Sequence, residues 1–243
     1  MLLCKITLTP KNSKIKMSED IEDTIYDYLG CLYKNGQIML NYELIKEEKV
    51  YCAYCKLIEK NSFNNKHNNK YVNERLNKLE AIFDLKIEEL GEEINNEVCS
   101  CKSPSWYMLY ASYLEGETPV ICGDCGKSVP LYRLPKIMGQ EEYFQELNWQ
   151  RDYQNVDNLY VSCLSDRFTY RQMSNPNSQL SKKGRKICHE FEKSTNKPFY
   201  YYLANLKKNL NRCPICGEEW QNSNNSKTVD FKCEKCRLVT DKE

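Results

Sequence analysis

Apolar and polar positions alternate in two distinct rhythms along this chain. Leu3, Ile6 and Leu8, with β-prone Thr7, predict a strand over residues 2–8. Ser18 then stands where a helix N-cap belongs, with Glu19, Asp20 and Glu22 in the first turn and Ile21, Ile25, Tyr28 and Leu29 on one face. Asn35-Gly36 marks a turn, and residues 37–42 and 49–57 read as two further strands. This β-α-β-β start predicts an α+β domain over residues 1–96. An Asn-rich polar loop follows at 61–70, placing His67 at the surface rather than at a metal. Leu76, Leu79, Ile82, Phe83, Leu85, Ile87 and Leu90 predict one helix over 73–93, ended by Gly91.

Beyond residue 100 the elements shorten. Residues 106–114 and 118–125 read as the arms of a hairpin, and 129–135 as extended chain bounded by Pro130 and Pro135. A helix is predicted over 141–153 on Tyr143, Phe144, Leu147 and Trp149, a strand over 157–164 and a loop over 172–178. A helix over 181–193 turns Leu180, Gly184, Ile187, Cys188 and Phe191 inward, and 199–203 is a strand. The expected layout is α+β: an N-terminal domain at 1–96, a central cysteine hairpin at 97–137, a helix–strand region at 138–206 and a C-terminal ribbon at 207–243.

Fourteen cysteines among 243 residues are more than an ordinary reduced fold uses. Eight of them form two matched sets. Cys213/Cys216 and Cys233/Cys236 are two CxxC pairs with sixteen residues between them. A CxxC turn delivers two thiolates to two corners of a tetrahedron, and a second turn delivers the other two, so the spacing reads as a zinc ribbon. Gly217, after the first pair, suits a backbone of positive φ, and Trp220 and Phe231 flank the loop. Cys99/Cys101 and Cys122/Cys125 repeat the plan as CxC, a twenty-residue hairpin and CxxC, giving a second zinc site. Cys52/Cys55 lies in or beside a strand and reads as buried free thiols; pairing it with one of the central pairs is the competing arrangement. Two histidines, His67 and His189, are too few for a two-Cys, two-His finger.

Net charge is +1, but its distribution is uneven: −3 over residues 1–100, −3 over 101–170 and +7 over 171–243. Lys182, Lys183, Arg185 and Lys186 crowd the start of a helix, where cations oppose the macrodipole, and Lys232, Lys235 and Arg237 surround the last cysteine pair. These seven are the candidate contacts to nucleic-acid phosphates. A solvated basic face, or neutralisation of the −2 charge of a zinc tetrathiolate, competes with that reading. The N-terminal apolar run is too short for a signal peptide and no run spans a membrane, so a cytoplasmic location is expected. A four-thiolate zinc has no open position for water, and no HExxH, phosphate-cradling glycine loop or GxSxG elbow occurs, so no enzyme is expected.

The turn CPICGEEW at 213–220, the close FKCEKCRLVT at 231–240, the run CGDCGKSVPLYRLP at 122–135 and the segment GRKICHEFEKSTNKPFYYYL at 184–203 carry a resemblance. In that order they resemble a family of uncharacterised bacterial zinc-ribbon proteins regarded as candidates for nucleic-acid binding, over residues 97–243. The resemblance implies a cytosolic zinc protein with no established reaction, and it transfers no catalytic residue. Two functions follow: a nucleic-acid binder acting through the basic C-terminal third, or a protein-interaction module (an antitoxin, immunity protein or adaptor) whose zinc sites are structural.

Overall fold

The computed structural model describes residues 1–12, 15, 18–92, 98–114, 118–206, 212–222 and 228–241. The expected boundaries at 96/97 and 206/207 and the helix end at Glu93 fall outside them. The described chain is mixed α+β and divides into two compact units. One comprises Met1–Val98 with Pro130–Tyr132 and Gln140–Tyr143; the other comprises Cys99–Val129, Arg133–Gly139 and Phe144–Glu243.

The first unit runs β1 (Leu2–Pro10), α1 (Glu19–Lys34), β2 (Glu43–Lys46), β3 (Tyr51–Leu57), α2 (Lys70–Ile82) and β4 (Phe83–Glu92). Its sheet has the order β2-β3-β1-β4 with every neighbour antiparallel. This is the split β-α-β, ferredoxin-like arrangement. Period-two alternation explains β1: Leu2, Cys4, Ile6 and Leu8 are buried, and they meet Ile25, Tyr28 and Leu29 of α1 and Val72 and Leu79 of α2.

Two expectations fail in this unit. The helix of 73–93 stops at Ile82, and the chain pairs as β4 along β1 from Phe83↔Pro10 to Glu92↔Leu2. Phe83, Leu85 and Ile87 alternate with Asp84, Lys86 and Glu88, so a period-two pattern was available beneath the helical one. The strand of 37–42 is displaced to Glu43–Lys46 because the chain before it is tied into a buried polar knot. Asn35 Nδ2 donates to Gln37 Oε1, and Gln37 Nε2 donates to Ser62 O and Asn68 Oδ1. The Asn-rich segment is two short 3-10 turns, and Asn69 Oδ1 accepts from Val72 N to cap α2. His67 is half-buried, its ring 4.3 Å from that of Tyr132.

The second unit holds β5 (Tyr107–Leu109), β6 (Val120–Cys122), α3 (Phe144–Val161), α4 (Asp166–Ser174), α5 (Gln179–Thr195), β7 (Phe199–Tyr202), β8 (Gln221–Asn222), β9 (Phe231–Cys233) and β10 (Leu238–Thr240). One sheet runs β6-β5-β7-β10-β9-β8. β7 lies parallel to both β5 and β10; the outer pairs are antiparallel hairpins. Phe199, Tyr200 and Tyr201 of β7 are fully buried. α5 packs so closely on β7 that a Cβ at Gly184 would fall 2.3 Å from the Tyr201 ring and 2.7 Å from Trp149 Nε1. Trp149 Nε1 donates to Leu180 O.

The strand expected at 157–164 is instead the end of α3, continuous with Trp149 and Tyr153, whose rings pack 5.4 Å apart on the core side. The loop of 172–178 begins inside α4, a helix the sequence reading missed.

Burial leaves one mismatch in α3. Glu146 is 1 % exposed, its Oε2 has no hydrogen-bond partner, and desolvation pushes its carboxyl up to about 7 from the ordinary 4.5. The folded chain therefore holds this proton more tightly than the unfolded chain. The resulting stability is present below pH 4.5, declines as pH rises toward 7 and is gone above it. Glu146→Gln should flatten that decline and stabilise the fold at pH 8 by about 1–3 kcal/mol, while changing little at pH 4.5. Urea unfolding at the two pH values measures this.

Candidate metal centres

Each cysteine quartet is assembled at the ends of a hairpin in the second sheet. Cys99 and Cys101 precede β5, Cys122 ends β6, and Cys125 lies in the turn beyond it. Cys213 and Cys216 precede β8, Cys233 ends β9, and Cys236 lies in the turn to β10. Among the described residues, the Sγ atoms of Cys99, Cys101, Cys122 and Cys125 all lie within 4.8 Å of one another, as do those of Cys213, Cys216, Cys233 and Cys236. Cys216 Sγ and Cys233 Sγ are 3.7 Å apart. Sulfurs placed tetrahedrally at about 2.3 Å from one ion have edges of about 3.8 Å, so the quartet is spaced to hold a thiophilic metal ion. In both quartets the first cysteine of each pair is buried and the second is part-exposed.

The turns that carry these pairs share one backbone device. Gly126 N donates to Cys122 O and Gly217 N to Cys213 O, both at 2.8 Å, and the glycines take φ of +75° and +74°. A left-handed residue after CxxC bends the chain back over the metal position. At the third turn the same place is held by Arg237, with φ +52°. A non-glycine residue there is strained by about 1 kcal/mol. The guanidinium offsets the strain. Nε and Nη2 donate to both carboxylate oxygens of Glu192 on α5 at 3.0–3.1 Å, and Nη1 donates to Glu234 Oε2 at 2.8 Å.

The electrostatics fit a cation. Burial pushes the Cys99 and Cys233 thiols up to about 11 and raises Cys122 and Cys236 as well. Cys216 is held below the ordinary thiol range by the Glu218 N–H and its neighbouring thiols. Cys125 is also lowered: burial opposes ionisation there, but the Lys127 N–H and the other thiols outweigh it. A set of soft donors this close and this reluctant to ionise together suits a shared divalent ion.

The structure brings together the eight expected ligands and leaves out Cys52 and Cys55. Those two lie three apart in β3, on opposite faces of a strand, both buried. They belong to neither quartet.

The seven expected phosphate contacts fare differently. Lys232 pairs with Glu234 at 3.0 Å and lies over the Trp106 and Tyr200 rings at 4.6 and 4.3 Å. Lys235 pairs with Glu218 at 2.7 Å, and Arg237 with Glu192 and Glu234. Lys183 pairs with Asp152 at 3.2 Å. Arg185 is half-buried, with Nη1 toward Pro176 O. Lys182 and Lys186 are exposed, and among the described residues neither forms an ion pair. The basic side chains of the ribbon are thus paired internally, Lys232 and Arg237 with nearby Glu234, Lys235 with Glu218 across the ribbon and Arg237 also with Glu192 of α5. No helix of the described residues is long and apolar enough to cross a membrane.

Three family models match the chain, each described as a domain of unknown function: DUF8589 over residues 1–89, DUF2310 over 101–204 and DUF8594 over 204–242. Two uncharacterised proteins of Haemophilus influenzae are similar. One is 33 % identical over 75 % of this chain and 74 % of its own length; the other is 32 % identical over 67 % of this chain and 84 % of its own. A crystal structure of a variant of SnoaB, a cofactor-independent oxygenase from Streptomyces nogalater, aligns with 39 % of this chain and 94 % of its own at 9 % identity and a TM-score of 0.32. A likeness that slight carries no functional argument.

Two metal equivalents per chain are expected by atomic emission. Cys122→Ser and Cys233→Ser should each lose one of the two quartets' ions, while Cys52→Ser and Cys55→Ser retain both. Arg237→Ala should destabilise the metal-loaded protein more than Arg237→Gly, by about 1 kcal/mol in urea unfolding, because glycine removes the ion pairs without the backbone strain.

Proposed function

This chain belongs to the family of uncharacterised bacterial proteins that its Haemophilus influenzae relatives represent, and we propose that it is a non-enzymatic, cytosolic zinc-ribbon protein that binds nucleic acid through its basic C-terminal third. Four cysteine donors per site favour zinc, and a closed tetrathiolate leaves no position at which zinc could activate water. The metals then act as cross-links, holding hairpins of two or three residues per strand that have too little core of their own. The observation that carries the nucleic-acid reading is the exposure of Lys182 and Lys186 on α5, without carboxylate partners among the described residues. The ribbon cations, being paired internally, add little to it.

A second reading, a protein-interaction module of the antitoxin, immunity or adaptor kind, is favoured by the first unit. Leu3 and Ile45 are 40 % and 46 % exposed and lie, by strand alternation, on the sheet face opposite its helices.

Fluorescence anisotropy with labelled RNA and DNA separates the two. Binding at 50 mM KCl whose affinity falls steeply by 200 mM supports the first reading, each phosphate contact adding roughly 0.7–0.9 to the log–log slope. Lys182→Glu with Lys186→Glu should weaken binding at least tenfold. No binding of either nucleic acid at 50 mM KCl refutes that reading.

A further inference from the structure

Among the described residues, an excess of positive charge lies at the corner formed by α4 and α5. Residues 167–189 contain Arg167, Arg171, Lys182, Lys183, Arg185 and Lys186 and no aspartate or glutamate. Arg167 and Arg171 stand one turn apart on α4, both exposed, and among the described residues neither forms an ion pair. Two hollows adjoin there, of about 530 and 290 Å³, and share Phe168, Gln172 and Gln179. The arginines line the first hollow; Val156, Leu180 and Lys183 line the second. Phe168 sits between them, 52 % exposed.

The first-turn amides of α5 are not the attraction. Ser181 N donates to Ser178 Oγ and Leu180 N to Gln172 Oε1, so these two amides are already satisfied. The charge that faces the groove comes from side chains. Its single acidic lining residue, Asp152, is neutralised by Lys183.

We propose that this α4–α5 groove binds a single-stranded nucleic acid, with Arg167 and Arg171 on the phosphodiester backbone and a base stacked on Phe168. The proposal rests on the nucleic-acid reading above and assigns it a surface and a strand class. An exposed aromatic ring between two hollows, flanked by unpaired guanidiniums, combines the two elements that single-strand sites use: a stacking platform and a cationic track. A duplex keeps its bases stacked inside and cannot present one to a ring set in a groove. Charge complementarity selects a polyanion over a neutral or basic partner.

The test uses the full, metal-loaded chain and labelled twelve-nucleotide strands, alone and as duplex, with anionic phosphatidylserine vesicles as a third probe. The single strand should bind at least tenfold tighter than the duplex. Arg167→Ser with Arg171→Ser should weaken it at least tenfold and lower the salt slope by about 1.4, roughly 0.7 for each lost phosphate contact. Phe168→Ala should weaken it about tenfold with the slope unchanged. All three positions are exposed, so metal content and circular dichroism should match the parent. Binding that survives these substitutions but is lost with Lys182→Glu and Lys186→Glu overturns the groove and leaves the broader reading standing. Absence of binding to any nucleic acid overturns both. Binding to vesicles in place of oligonucleotide, lost in the arginine variant, makes the groove a membrane-surface site and refutes the proposal.

Discussion

Four sulfurs drawn within 4.8 Å of one another are the constraint on which the second unit depends. Thiols that close, mostly raised by burial, suit a shared cation. The strands that bear them are two or three residues long, too short to hold a hairpin by ladder bonds alone. A metal ion held by each quartet would supply what the missing hydrophobic core otherwise provides, twice in one continuous sheet.

β7 turns those two sites into one structure. It receives β5 of the first hairpin on one side and β10 of the second on the other, both parallel. Trp106, before β5, meets Tyr200 of β7 edge-on at 5.3 Å, and Lys232 of β9 lies over both rings. Thr228 Oγ1 donates to Gly123 O, joining the loop of one quartet to the turn of the other. The quartets therefore share a scaffold, whereas Arg167 and Arg171 lie on α4 and line none of the hollow that Arg185 of α5 shares with Cys236.

Much of this was legible because it is local. CxxC spacing encodes a turn regardless of what surrounds it, and Gly217 announced its own positive φ. Arg237 performs the same backbone role invisibly, since nothing in its identity signals a left-handed conformation; its justification lies 45 residues away in Glu192. The charge count was legible and its meaning was not: Lys235 reads as a phosphate contact until Glu218 is seen across the metal turn. β4 was misread because Leu76, Leu79, Phe83, Ile87 and Leu90 recur at helical spacing while Phe83, Leu85 and Ile87 alternate, and only pairing with β1 decides between the two periods. α4 was missed because nine residues flanked by turns give too short a window for periodicity.

The order of strands has a consequence for biosynthesis. β10 is the latest of the sheet's strands to be made, yet it is not at an edge; it lies between β7 and β9. Until Leu238–Thr240 docks, β7 offers an open, aromatic-rich flank to any passing chain, and the β8–β9 hairpin has no place in the sheet. A chain in which β10 has not yet docked is therefore open to edge-to-edge association along β7, and docking of Leu238–Thr240 is the step that closes that edge.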